Sequence, residues 1–351
     1  MMDVAVCVRG TVMVKKQVLM VLLGWGLSVL AACGAEQETV SDGFVDGDGI
    51  ENNADGDRRE QGELLFEDRF EALGPPYVEG HDQPPSALPE ALFAQDGSRW
   101  TQIQNTHPGE NWAAHATEDG QDVLRFFAAG QPGEEASKMD LGRGIGFELA
   151  QGDVVVLGAD FFVEGERGIL SDNTLLDLED TDDLTIDGQL PGAGLRVRTN
   201  AAGQLALDRG ELLGSDAGEP PHFRLGNMSS DHVLPVGVWV RVEAVIKLGV
   251  GVERSTQGPI DDTFDAEQTE AWCELWVQPR GEPSVMVMRQ KGTTFLDRQA
   301  GLELLAQELP DATVEWPEAL DYNSFQAGLT NNRSGVDQQL LMDNVRLETL
   351  D

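Results

Sequence analysis

The sequence predicts an all-β protein, an antiparallel two-sheet sandwich, and three observations lead there. Short runs rich in Val, Leu and Phe recur from Glu63 to the C-terminus, each bounded by Gly, Asn, Asp or Pro. Several alternate apolar and polar residues with period two, which on a pleated strand sorts them onto opposite faces. No long segment of helical period competes; only RQAGLELLAQEL, residues 298–309, reads as one short surface helix.

The N-terminal part stands outside that fold. Lys15 and Lys16 precede an apolar run from Val18 to Leu30, which ends in LAAC at Cys33. The run is short for a membrane span, which needs roughly 20 apolar residues. Basic, apolar and small residues in this order read as a secretory signal. The LAAC end resembles the lipobox of bacterial lipoproteins, which implies that Cys33 is lipidated and heads the mature chain. By the same resemblance, Gly34 after the cysteine implies the outer membrane. An ordinary secretory signal is the alternative and gives the same compartment. The expected organisation is a signal peptide over residues 1–32, an acidic tether over 33–62 and one β-sandwich over 63–351.

The tether is rich in Asp and Gly and poor in large apolar residues, the composition of a flexible linker. Its VDGDGIENNADGD stretch places Asp46, Asp48, Asp55 and Asp57 close together. Alternating carboxylates and glycines suit calcium, and the stretch resembles a thrombospondin-type Asp-rich repeat. It occurs once and lacks EF-hand spacing, so an acidic spacer is the competing reading. No cofactor is required by any motif.

The charge is lopsided: 62 acidic against 24 basic residues, a formal net charge of −38. This argues against nucleic acid as a partner. Cys273 is the lone cysteine of the expected sandwich, so no internal disulfide forms there.

The strand faces can be assigned. In GVWVRVEAVIKLG, Val238, Val240, Val242, Ala244, Ile246 and Leu248 share one face, and Trp239, Arg241, Glu243, Val245 and Lys247 the other. In GLRVRTN, Leu195 and Val197 oppose Arg196 and Arg198. In TLLDLED, Leu176 and Leu178 oppose Leu175, Asp177 and Glu179. In TEAWCELWVQ, Cys273, Leu275 and Val277 suit the buried face, since a free cysteine behaves as a small hydrophobe. Trp272, Glu274 and Trp276 then point outward, either open to a ligand or covered by the loop over residues 249–270.

GVWVRVE, the following CELWV and the C-terminal MDNVRLETL together resemble the concanavalin A-like jelly rolls, which include lectins, laminin-G-like modules, β-glucanases and polysaccharide lyases. The resemblance spans residues 63–351. It implies two curved sheets, with a glycan groove on the concave one, and allows a structural calcium held partly by Asp343. FQAGLTNN, from Phe325 to Asn332, is similar to an alginate-lyase strand, Tyr-Phe-Lys-Ala-Gly-x-Tyr-Asn-Gln. Phe325, Ala327, Gly328 and Asn331 match, but Gln326 replaces the lysine and Thr330 the proton-donating tyrosine. LLDLE is similar to the Glu-x-Asp-x-Glu strand of the β-glucanases, but Leu175 occupies the nucleophile position, and a retaining hydrolase needs that carboxylate.

Three functions follow as expectations. The first is glycan binding on the concave sheet, with an acidic polysaccharide as a candidate, by Arg196, Arg198, Arg241, Glu243, Trp272, Glu274 and Trp276. Arginine forks would hold acidic groups, and indole faces would stack on sugar rings. Pairing of these arginines with neighbouring Asp and Glu is the competing reading. The second is a polysaccharide lyase with a rearranged site, using His222, Arg224, Tyr322 and Gln326 for acid–base work and charge neutralisation. A non-catalytic adhesive module is the third.

Overall fold

A computed structural model describes residues 62–71, 88, 90–94, 98–131, 136–143, 147–164, 168–180, 185–186, 193–212, 223–250, 258–263, 265–294, 302–303, 306, 311, 313–315 and 322–350. The expected signal segment, Cys33 and the acidic stretch with Asp46, Asp48, Asp55 and Asp57 lie outside them.

The described chain is an antiparallel jelly-roll sandwich of two large sheets. One sheet contains β1 (Leu64–Asp68), β3 (Trp112–Glu118), β4 (Gln121–Ala128), β6 (Val154–Val163), β12 (Trp239–Lys247), β13 (Trp272–Pro279), β14 (Val285–Lys291) and β17 (Gln338–Leu350). Its order is β14-β13-β12-β6-β17-β4-β3, with β1 also paired to β17. The other contains β2 (Gln102–Asn105), β5 (Ser137–Arg143), β7 (Asn173–Asp180), β9 (Ala193–Thr199), β10 (Gln204–Leu212), β11 (Phe223–Val233) and β16 (Ser324–Asn332), in the order β11-β10-β9-β7-β16-β5-β2. Two short strands, β8 (Thr185–Ile186) and β15 (Val314–Glu315), pair apart. Leu302, Glu303 and Ala306, the described part of the expected helix, are helical.

Period two explains the core. Val240, Val242, Ala244 and Ile246 of β12 meet Cys273, Leu275 and Val277 of β13 between the sheets, with Leu195 and Val197 of β9 and Phe325, Ala327 and Leu329 of β16. Each large side chain buried there contributes roughly 1.5–3 kcal/mol. The expected inward face of TEAWCELWVQ is the observed one. Val238 departs from expectation: it precedes β12 and is exposed. At one end of the core Trp100 stacks on Phe325 at 6.0 Å, and Phe66 meets Trp100 edge-on at 4.8 Å. This tie anchors the first strand across to the opposite sheet.

One strand face was misread. Leu175 belongs to the core together with Leu176 and Leu178, because the β7–β9 register slips between Thr174 and Leu176. The bulge inserts an extra residue, so two consecutive leucines turn inward.

Candidate functional site

The outer face of the seven-stranded sheet is polar. With the leucines of β7 and β9 and the apolar residues of β5 and β16 turned inward, Asp140, Asp177, Glu179, Arg196, Arg198, Gln326 and Asp208 are left on the far side. The register aligns them: Asp177 sits opposite Arg196 on one side and Gln326 on the other, Gly328 sits opposite Asp140, and Arg196 opposite Asp208.

Arg196 is the hub. Its Nε donates to Asp177 Oδ2 at 2.7 Å and its Nη2 to Glu179 Oε1 at 2.7 Å. Gln326 Nε2 donates to Glu179 Oε2 at 2.8 Å, which closes the network across three strands. Gly194 makes room for it: a Cβ there would lie 2.9 Å from Asp177 Oδ1 and 3.2 Å from Arg196 Nη2. Burial pushes the Asp177 carboxyl well above the usual carboxylate range, against the pull of Arg196. Burial acts on Glu179 in the same sense, but the charge and hydrogen bonds of Arg196 outweigh it and hold Glu179 low. Arg196 is the cation that both carboxyl groups share. Asp140 is fully buried beside them, with neither carboxylate oxygen hydrogen-bonded. Burial raises it strongly, and the nearby Glu179 and Asp177 add to that against the opposing pull of Lys138.

Next to this network lies a polar cavity of about 220 Å³, lined by Asp172, Asn173, Thr174, Arg198, Asp208, Asn331 and Arg333. Arg198 is clamped across it, with Nη1 2.7 Å from Asp208 Oδ2 and Nη2 2.8 Å from Asp172 Oδ1. Asp172 has a φ of 47°, the left-handed region that Asp tolerates better than most residues.

The expected binding residues divide between the two sheets. Arg196 and Arg198 lie on the face just described. Arg241, Glu243, Trp272, Glu274 and Trp276 lie on β12 and β13 of the eight-stranded sheet. No single sheet gathers all the basic residues, because β9 and β12 pair with different neighbours. Arg241 bridges Asp160 at 3.3 Å and Glu243 at 3.1 Å, and Arg289 holds Glu274 at 2.7 Å. Trp276 Nε1 donates to the same Glu274 at 2.8 Å. The loop covers the Trp face: Trp272 Nε1 donates to Ala266 O at 3.1 Å, and Val156, Val245 and Trp272 form a satellite core with Ala266, Trp276 and Leu350 packed on it.

The expected catalytic set is not assembled. Tyr322 is in the main core, 1% exposed, and its hydroxyl donates to Thr294 O at 3.2 Å, out of reach of a polysaccharide. Arg224 is on β11, opposite Glu211 of β10, at the far edge of the sheet. Four strand spacings of roughly 4.8 Å separate β11 from β16, which carries Gln326. The Arg224 side chain and His222 lie outside the described residues.

Asp343 does not fit a calcium site. It stands opposite Asp160 across β17 and β6, but Arg241 already donates to Asp160 and to Asn344 O there, so a guanidinium occupies the place a cation would take. Among the described residues, no group of three or more His, Cys, Asp or Glu is arranged to hold a metal ion. Burial instead raises the Asp343 carboxyl to about 7, assisted by Asp160 and Glu71 against the Asn344 N–H and Arg241.

Sequence reasoning passed over Asp140, Asp172, Asp208 and Arg333. Asp140 was detectable: in SKMDLGR it lies between Met139 and Leu141, a period-two signal like that of β9. The cavity as a whole carried no such signal, because four separate segments bring its lining together.

No protein-family model and no curated protein matches the chain. Among solved structures, the endo-β-1,4-glucuronan lyase of the fungus Trichoderma reesei is similar at 13% identity and a TM-score of 0.46, covering 71% of this chain and 91% of that one. The alginate lyase vAL-1 from Chlorella virus is similar at 13% identity and a TM-score of 0.39, over 74% of this chain and 96% of the other. Peanut lectin is similar at 10% identity and a TM-score of 0.32, over 71% and 91%. The likeness is one of fold alone.

Proposed function

We propose that this is a lipid-anchored protein of the bacterial cell envelope that binds a glycan on the outer face of its seven-stranded sheet. One observation carries the binding reading. A polar cavity lined by Asp172, Thr174, Arg198, Asn331 and Arg333 lies on that face, and the buried network of Arg196, Asp177, Glu179 and Gln326 braces the strands beside it. Carboxyl, amide and guanidinium groups held in fixed positions suit the many hydroxyls of a sugar, since little side-chain freedom is lost on binding.

The test is a glycan array with the purified chain, followed by titration of any hit. Binding that weakens in Gln326→Ala and Arg198→Ala, with Trp272→Phe unaffected, would place the glycan on this sheet. A blank array, together with capture of a defined protein partner, would instead favour the adhesive module. The anchor is tested separately: Cys33→Ser should release the protein from membranes, and unchanged membrane association would refute lipidation.

A polysaccharide lyase is the second reading. Burial raises the carboxyls of Asp140 and Asp177, and Asp177 stands beside the amide of Gln326 and the charge of Arg196. β-Elimination needs an acid for the leaving oxygen and a group that neutralises the uronate. The β5, β7, β9 and β16 strands contain no Tyr or His to serve as base, which is why binding is placed first. Rising ultraviolet absorbance on polyuronates would reverse that order.

A further inference from the structure

Among the described residues, the cavity holds a cation that forms no ion pair with a carboxylate. The arginines of the two sheet faces hold carboxylates: Arg196, Arg198, Arg241, Arg289 and Arg346 each lie within ion-pair distance of an Asp or Glu. In a chain with a formal net charge of −38, such pairing is the default. Arg333 departs from it. Among the described residues its side chain has one partner, Asn331 Oδ1, which accepts from Nε at 3.2 Å. Both terminal nitrogens remain available.

The surroundings aim this group. The Arg333 N–H donates to Asp172 O at 2.9 Å, and the Asn331 N–H to Asn173 Oδ1 at 3.4 Å, so the backbone carrying the arginine is tied to the start of β7. Asn331 holds Nε of the guanidinium, and both residues line the cavity. Arg198 cannot take the same part, because both of its Nη atoms already hold Asp172 and Asp208. The cavity adds the Thr174 hydroxyl and the Asn331 amide. Its volume, about 220 Å³, is below the roughly 300–1,000 Å³ of common small-molecule sites, which suits one sugar unit of a chain lying across the sheet.

We infer that Arg333 reads an anionic substituent, a carboxylate or sulfate, on a sugar unit seated in this cavity, with Thr174, Asn331 and Asp172 bonding its hydroxyls. Two parallel N–H···O bonds from a guanidinium fit either oxyanion. This inference rests on the glycan-binding reading and adds the class of glycan and the residue that selects it.

The test compares the full chain with Arg333→Gln and Arg333→Lys on three immobilised polysaccharides: polyglucuronate, dextran sulfate and unmodified dextran. The wild type should bind polyglucuronate or dextran sulfate roughly tenfold or more tighter than dextran, and the preferred one identifies the substituent. Arg333→Gln should remove that preference by weakening polyanion binding toward the level seen with dextran, with the thermal midpoint unchanged. Arg333→Lys should keep part of the preference, since it retains charge and loses the fork. An unchanged anion preference in Arg333→Gln overturns the inference and spares the glycan reading. Equal wild-type binding to all three polymers does the same. No binding to these or any arrayed glycan overturns both.

Discussion

Arg196 and Asp177 face each other across the β9–β7 pair, with Nε 2.7 Å from Oδ2, over a glycine at 194 that a methyl group could not replace without contact. Arg196 is 2% exposed and also holds Glu179. The central polar face is thus organised around one buried cation.

Removing that cation should be severe. Arg196→Met leaves the Glu179 charge without its buried counter-charge and should destabilise the fold by roughly 3–5 kcal/mol, measured by denaturant unfolding at pH 7. Glu179 would then lose the charge that keeps it low, and its folded-state value should rise above the unfolded one. A group raised in this way favours folding at low pH and loses that contribution as pH rises. The deficit should therefore shrink as pH falls toward 4, and a constant deficit across that range would contradict the assignment.

Asp343 makes a second pH-dependent contribution. Its folded-state value of about 7 lies above the unfolded value, so its contribution is complete below pH 4 and is lost as pH rises through 7. The shift corresponds to a loss of about 4 kcal/mol across that window. Asp343→Asn should flatten the stability profile between pH 4 and 7, and unfolding curves of the two proteins would show it. A carboxyl titrating near 4 by nuclear magnetic resonance would refute the shift.

Trp272→Ala tests whether the tryptophans are structural. The indole is covered by the loop containing Ala266 and packs on Val156 and Val245. Its loss should cost about 3 kcal/mol or more, while glycan affinity of the folded variant stays at the wild-type level. Weakened binding with unchanged stability would return Trp272 to the ligand.

Tyr322→Phe separates core from catalyst. The hydroxyl donates to Thr294 O inside the protein. Its removal should lower stability by about 1 kcal/mol and leave any activity on polyuronates unchanged. Loss of such activity at full stability would mean that Tyr322 meets substrate.

Much of the fold was legible because strand alternation is local. Backbone pleating alone turns Cys273, Leu275 and Val277 one way and Trp272, Glu274 and Trp276 the other, and the same holds for Leu195 and Val197 against Arg196 and Arg198. The site was less legible because it depends on pairing between distant segments. Gln326 reaches Glu179 over a separation of 147 residues, and the slip at Leu175 arises from the β7–β9 pairing rather than from its neighbours in the chain.

The sequence by itself determined the all-β sandwich and the inward or outward direction of most strand residues, since both follow from a repeat of two along each segment. Tertiary structure alone decided the rest. Sheet order put Arg196 and Arg241 in different sheets, and the loop through Ala266 covered a Trp face that alternation had only turned outward. Three separated segments brought Asp172, Asp208 and Arg333 around one cavity. The physical reason is that pleating fixes which way a side chain points, whereas only the assembled sheets and loops fix what it meets.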